Sequence, residues 1–162
     1  MIKVHPSARI SALSDIEDST RGTNIVIGEH VVIDSFVKIK PSGGIGDLII
    51  GAHTVINAGC VLYTGHGLHI GSNVAIAANC TFAPLNHEYR RRDIPIRQQG
   101  YLPSKGGIVV EDDVWIGANC VILDGAILRC GCVIGAGSVV RGEVCAYSIN
   151  AGQPLTMIGM RN

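Results

Sequence analysis

The stretch NHEYRRRDIP, Asn86 to Pro95, gathers reactive side chains in a chain that is otherwise apolar and rich in small residues. His87, Glu88, Tyr89 and the run Arg90, Arg91, Arg92 follow one another without a gap. An imidazole with an ordinary pKa of ~6.5 can take a proton from a hydroxyl near neutral pH, so His87 is a candidate general base. Guanidinium groups bind phosphate and carboxylate oxygens in pairs. Around this stretch Arg90, Arg91, Arg92, Arg97 and Lys105 outnumber Glu88 and Asp93, a local balance of +3. Such an excess suits a phosphate-bearing ligand. The other reading is a solvated loop with ordinary charges.

These residues must be positioned by the rest of the chain, and its composition restricts how. A length of 162 residues predicts one domain, spanning 1–162. Aromatic residues make up only 4% of it, so the core must be built from aliphatic and small side chains in repeated layers. With 21 Gly and only 6 Pro the chain is neither collagen-like nor a Pro-rich disordered polymer. Thirteen basic and thirteen acidic residues give no basic excess for nucleic acid. No apolar run reaches the length of a membrane span, and MIKVHPSARI has no signal-peptide core. Six cysteines in such a chain predict reduced thiols in the cytoplasm. The absence of a C-x-x-C pair argues against structural zinc.

The positioning element is a repeat with a period of six. Ile27, Ile33, Ile39 and Ile45 are evenly spaced; after a slip come Ile50, Ile56 and Leu62, then Ile70, Ile76 and Phe82. After a gap the series resumes at Val110, Ile116, Ile122, Leu128, Ile134 and Val140. The next position is often Gly, as at Gly28, Gly46, Gly51, Gly71, Gly117 and Gly135, and the fourth is small or β-branched. The rhythm of an amphipathic helix is missing. Six residues make a short strand and a corner, and three such units close a triangular coil of 18 residues. Gly28 and Gly46 are then expected one coil apart, as are Gly117 and Gly135. The reading is an all-β solenoid of about seven stacked coils, interrupted by one long excursion loop at about 83–109. Cys60, Cys80, Cys120 and Cys132 fall on the small fourth position and read as buried filler rather than nucleophiles.

The pattern [Ile/Val/Leu]-Gly-x-x-[small]-x, clearest in VWIGANCVILDGAILRCGCVIGAGSVV, and the turn AGQP at Ala151 to Pro154 resemble the hexapeptide-repeat acyltransferases. The similarity is to the galactoside, maltose and streptogramin O-acetyltransferases and to polysaccharide O-acetyltransferases. It implies a left-handed parallel β-helix, a homotrimer with sites between neighbouring subunits, and acetyl-CoA as co-substrate with no metal. It implies His87 as catalytic base at the start of the loop. Asn57 matches a substrate-end asparagine, and Glu88 and Tyr89 are expected beside the acceptor. Gly117, Ala118, Gly135 and Ala136 match positions that contact CoA, with the Ala118 amide as oxyanion donor. Trp115 is expected to flank the pantetheine arm, and Arg141 falls at a further cofactor contact. The chain departs from the family pattern elsewhere. Gly65 stands where a substrate aspartate is usual, Gly142 replaces a lysine, and Thr156 and Gly159 stand in for two arginines, with Arg161 as a possible substitute. Relative to maltose-type enzymes it enters the repeat almost at once and has little room for a C-terminal helix.

The resemblance implies transfer of acetyl from acetyl-CoA to a hydroxyl of a sugar or sugar-containing acceptor. Three alternatives stand beside it: N-acetylation of an amino sugar, a carbonic anhydrase-like metal hydratase, and a non-catalytic scaffold. The hydratase would need three converging histidines, from His53, His66, His69 and His87.

Overall fold

The computed structural model describes all 162 residues, Met1 to Asn162. The chain winds as a left-handed parallel β-helix with three flat faces. Face A stacks Ile2–Val4, Ile25–Ile27, Leu48–Ile50, Leu68–Ile70, Ile108–Val110, Ile127–Leu128 and Glu143–Val144, which makes seven coils. Face B begins with Arg9–Ile10 and ends with Ser148–Ala151, on which Thr156–Met160 folds back antiparallel. Face C holds six strands, from Asp15–Ile16 to Val139–Val140. Apart from that last pairing, every named strand pairs in parallel with the coil below or above. A single 3-10 turn, Ile96–Gln98, is the only helical element.

Alternation explains the core. In a three-residue strand such as Ile25–Ile27 the outer two side chains point inward and the middle one outward. Twenty-nine buried hydrophobic residues form one continuous column. Every aliphatic of the series except Ile45 is at most 2% exposed, and the fourth-position residues Cys60, Cys80, Cys120 and Cys132 are fully buried. The column has room for one large aromatic, Phe82.

Two expectations need correction. Ile45 is 73% exposed, and Leu48 and Ile50 fill the wall instead. The coils are also unequal: Ile25 pairs with Leu48, Leu68 with Ile108, and only further along does Val109 pair with Ile127, an 18-residue coil. Gly28 therefore does not stack on Gly46. A Cβ on Gly28 would lie 2.8 Å from the Ile50 carbonyl oxygen, beside Gly51. The physical reason is that all length variation leaves through one edge. Edges AB and BC keep near-constant corners, whereas edge CA carries residues 17–24, 41–47 and 84–107 as insertions. Strand pairing fixes the three faces, and an edge open to solvent can lengthen at little cost in loop entropy.

This division predicts unequal sensitivity. Ile122→Ala, in the fully buried column, is expected to destabilise by ~2–5 kcal/mol. Ile45→Ser, on the exposed edge, should change stability by less than ~0.5 kcal/mol. Urea unfolding midpoints at unchanged slope measure both.

Candidate active site

The excursion is a folded body anchored at both limbs. The Glu88 amide donates to the Gly100 carbonyl at 3.0 Å and the Leu102 amide to the Asn86 carbonyl at 2.8 Å, bracketing a bridge between His87 and Tyr101. The His87 ring packs on Tyr101 with centroids 4.7 Å apart. At the tip, the Gln99 side-chain amide donates to the Arg91 and Ile94 carbonyls at 2.8 and 3.0 Å and accepts from the Arg91 amide at 3.0 Å. At the base, Asp124 accepts from the Lys105 amide at 2.8 Å and from the Gly107 amide at 3.0 Å. Asp124 is 6% exposed, so its carboxylate is a buried clamp that fastens the returning limb to edge CA.

Between loop and edge lies an open cleft of about 650 Å³. His87, Tyr89, Ile96 and Lys105 line its loop side, and Leu123, Asp124 and Arg141 its β-helix side. The cleft thus joins an exposed imidazole to two cations, Lys105 and Arg141, beside an apolar wall. Chemically it offers a proton acceptor next to positive charge.

The predicted residues divide between two edges. His87, Tyr89 and Arg141 meet in the cleft at edge CA. Asn57, Gly117, Ala118, Gly135 and Ala136 follow face-B strands, at the corners of edge BC, a whole face away. Trp115 stands on face B, 55% exposed, paired with Ala75 and Val133. The Asn57 side chain donates to the Ile76 carbonyl at 2.8 Å, tying it to the next coil. Gly117 is required where it sits: a Cβ there would lie 2.5 Å from the Ala136 nitrogen.

Glu88 is spent within the loop. It accepts from the amides of Tyr89 and Arg90 at 2.9 and 3.0 Å and pairs with the Arg90 guanidinium. The Arg90 amide, together with that of Tyr89 and the Arg90 charge, holds the carboxyl below its ordinary range. Arg91 pairs with Asp93, which lowers the Asp93 carboxyl in the same way. Arg161, the expected substitute contact, instead donates to Asp113 and to the Gly131 carbonyl, both at 2.9 Å, on edge AB. The candidate metal histidines are dispersed. His53 stacks on His30 at edge AB with centroids 5.0 Å apart, His69 points outward from face A, and His66 and His87 lie near edge CA.

Sequence reasoning missed Asp124 and Gln99. Asp124 carried one signal: it is an acid two places after the inward Ile122, where the repeats at Ile116 and Ile134 have Ala118 and Ala136. Removing it should release the loop. Asp124→Ala is expected to speed tryptic cleavage at Arg90–Arg92, Arg97 and Lys105 by ~10-fold or more, since hydrogen bonds to a charged group contribute ~1.5–3 kcal/mol. Cleavage rates on gels, with far-UV circular dichroism as the control for an intact β-helix, provide the check.

Comparison with known proteins agrees with this architecture. Residues 107–142 match the family model for the bacterial transferase hexapeptide (six repeats). A Mycobacterium tuberculosis protein, named a probable acetyltransferase, is 32% identical over 116 residues, 72% of this chain and 38% of that protein. The chain therefore spans about two fifths of that relative's length. WbbJ of Escherichia coli, provisionally named a lipopolysaccharide biosynthesis O-acetyl transferase, is 26% identical over 146 residues, 87% of this chain and 71% of WbbJ. Among solved structures, a hexapeptide-repeat acetyltransferase of Vibrio cholerae in complex with acetyl-CoA superimposes with a TM-score of 0.67. It is 27% identical and covers 84% of this chain and 71% of its own. From its repeat, its coil geometry and these relatives, the chain belongs to the hexapeptide-repeat transferase family.

Proposed function

We propose that this protein transfers acetyl from acetyl-CoA to a hydroxyl of a sugar-containing acceptor, in clefts between the subunits of a homotrimer. The observation that carries the reading is the cleft that sets the exposed His87 imidazole beside Lys105 and Arg141. The acetyltransferase names of the relatives support the reaction class, and the name of WbbJ supports a hydroxyl on a saccharide. The trimer is supported by the distribution of the residues: a site that needs both edges CA and BC is complete only when one chain's loop meets its neighbour's corner. Unpaired cysteines suit a reducing, cytoplasmic setting.

In this mechanism His87 takes the acceptor's hydroxyl proton as the oxygen attacks the thioester carbonyl. The new C–O bond forms, and negative charge gathers on the former carbonyl oxygen, facing the Ala118 amide of the neighbouring chain. Collapse breaks the C–S bond, and the imidazolium returns its proton to the departing thiolate. No acyl-enzyme forms. Lys105 and Arg141 bind the donor's phosphates, and Tyr89 and Asn57 border the acceptor. Holding both substrates in one cleft supplies much of the acceleration.

Thiol release from acetyl-CoA across a panel of sugars and nucleotide sugars tests the reading. The expected product is a base-labile ester, and a base-stable amide on an amino sugar would sink hydroxyl transfer. His87→Ala should lose ~10²–10⁴ in turnover while acetyl-CoA affinity changes little. Near-normal turnover would reduce His87 to a loop residue. Arg141→Ala should mainly raise the KM for acetyl-CoA and flatten its dependence on salt, because exposed charge attraction is screened.

A further inference from the structure

The corners of edge BC share one hydrogen-bond pattern. At each corner the first residue's amide donates onward, as Ala77 to the Ile116 carbonyl, Gly117 to Ile134 and Gly135 to Asn150. The third residue's amide donates back to the second residue's carbonyl one coil earlier, as Asn119 to Ala78 and Gly137 to Ala118. At the cysteine corners the N–H groups of the second and of the fourth residue are left over. The direction of the second is set by the carbonyl in the same peptide, because C=O and N–H point oppositely across a trans peptide bond.

Buried thiols hold that carbonyl inward on three consecutive coils. Cys60 Sγ donates to the Ala77 carbonyl at 3.2 Å, Cys80 Sγ to Gly117 at 3.1 Å and Cys120 Sγ to Gly135 at 3.2 Å. Gly135 also accepts from Ser138 Oγ at 2.6 Å, so of the Gly117 and Gly135 carbonyls only that of Gly117 rests on a thiol alone. The amides of Ala78, Ala118 and Ala136 therefore point outward. One end of this run is closed by the chain itself, where Ser138 Oγ accepts from the Gly152 amide at 2.9 Å. Edge AB shows what such an amide does when an oxygen is in reach. There Thr54 Oγ1 donates to the Gly71 carbonyl, and the outward Ser72 amide donates to an Asp112 carboxylate oxygen at 2.7 Å. The Cys130 amide donates likewise to Glu111 at 2.8 Å. Edge AB has valine at three fourth positions, Val31, Val74 and Val114, beside Ala8, Thr54 and a single Cys132, whereas edge BC has cysteine at three in succession. The three thiols are not alike: the hydrogen bond with Cys80 draws Cys60 below the usual thiol range, whereas the other two are raised. Cys80 and then burial push Cys120 far above the usual thiol range, and Cys80 itself, drawn down by Cys120 but raised more by Cys60 and burial, stands at about 11.

We infer that Cys80 is a positioning residue for acyl transfer. Through its S–H···O bond to the Gly117 carbonyl it aims the Ala118 amide at the thioester oxygen, beside the Ala136 amide, which Ser138 and Cys120 together turn toward a carbonyl of the donor's pantetheine arm. Parallel coils recur at ~4.8 Å, so the two donors suit successive carbonyls of one extended chain rather than a compact anion. The inference rests on the proposed acetyl-CoA reaction.

The test replaces Cys80 and Cys120 by valine, which the same fold accepts at equivalent positions, and Cys80 also by serine, which keeps a donor. Cys80→Val is expected to lower kcat ~10-fold with little change in KM, a fraction of the loss caused by removing an oxyanion donor outright. Cys120→Val is the control: Ser138 still holds the Gly135 carbonyl, so its kinetics should change little, and Cys80→Ser should recover most of the Cys80→Val loss. A second readout needs no turnover. In ¹⁵N-alanine-labelled protein the Ala118 amide resonance should shift on adding acetyl-CoA without acceptor, with the response reduced in Cys80→Val and retained in Cys80→Ser. A wild-type Ala118 resonance that ignores acetyl-CoA would overturn the donor reading itself. A normal response and normal kinetics in folded Cys80→Val, or a Cys80→Ser variant as impaired as Cys80→Val, would overturn the role of the thiol alone.

Discussion

A parallel coil that turns a corner every few residues cannot pair every backbone amide, and the rest of this molecule depends on where the leftover donors face. Strand pairing uses the groups on the three faces. The second residue's N–H at each corner still has to be placed, and burying it unpaired would cost ~1–3 kcal/mol. Turned outward, it is met by the chain's own carboxylates at Ser72 and Cys130 and, in the proposed function, by the donor at Ala118 and Ala136. The same constraint explains the small side chains on edge BC. Where a corner passes close to the next coil only glycine fits, as at Gly117, whose Cβ would lie 2.5 Å from the Ala136 nitrogen.

The second consequence is a division of labour among edges. Edges AB and BC keep short, near-constant corners, so they make straight, rigid rows. Edge CA takes every insertion and hence every residue that has to leave the wall, His87 among them. An inward-packed hexapeptide offers no free imidazole. The loop provides one, and Asp124, Gln99 and the His87–Tyr101 packing restrain it. In the proposed mechanism proton transfer belongs to the edge that carries the insertions and carbonyl recognition to one with constant corners. A full face separates them within one chain, which is the physical argument for assembly.

Much of this was legible in the sequence because the inward positions are read by the same rule on every coil. The aliphatics from Ile27 to Val140 and the four filler cysteines announce the fold through spacing alone, and the break at Asn86 announces the loop. Coil length was not legible. Ile45 keeps the period of six by coincidence, inside an insertion whose real wall residues are Leu48 and Ile50. Arg90, Arg91 and Glu88 read as ligand contacts because charge is visible in sequence, while the local pairing that occupies them is not. Cys80 and Cys120 read as filler for the converse reason. Burial follows from the repeat, but a hydrogen bond to the next coil's carbonyl depends on register, which only the stacked structure supplies.

The claim that the site is shared between chains is the one on which the account turns, and subunit complementation tests it most directly. His87→Ala removes the base from edge CA, and Ala136→Trp, at an exposed corner, blocks the donor row on edge BC. Each variant alone should be inactive with acetyl-CoA. If base and donor row come from different chains, an equal mixture allowed to exchange subunits should regain about a quarter of wild-type activity, since random assembly leaves about one cleft in four with both halves intact. Mixed oligomers, verified by native mass spectrometry, that remain as inactive as their parents would contradict a shared site.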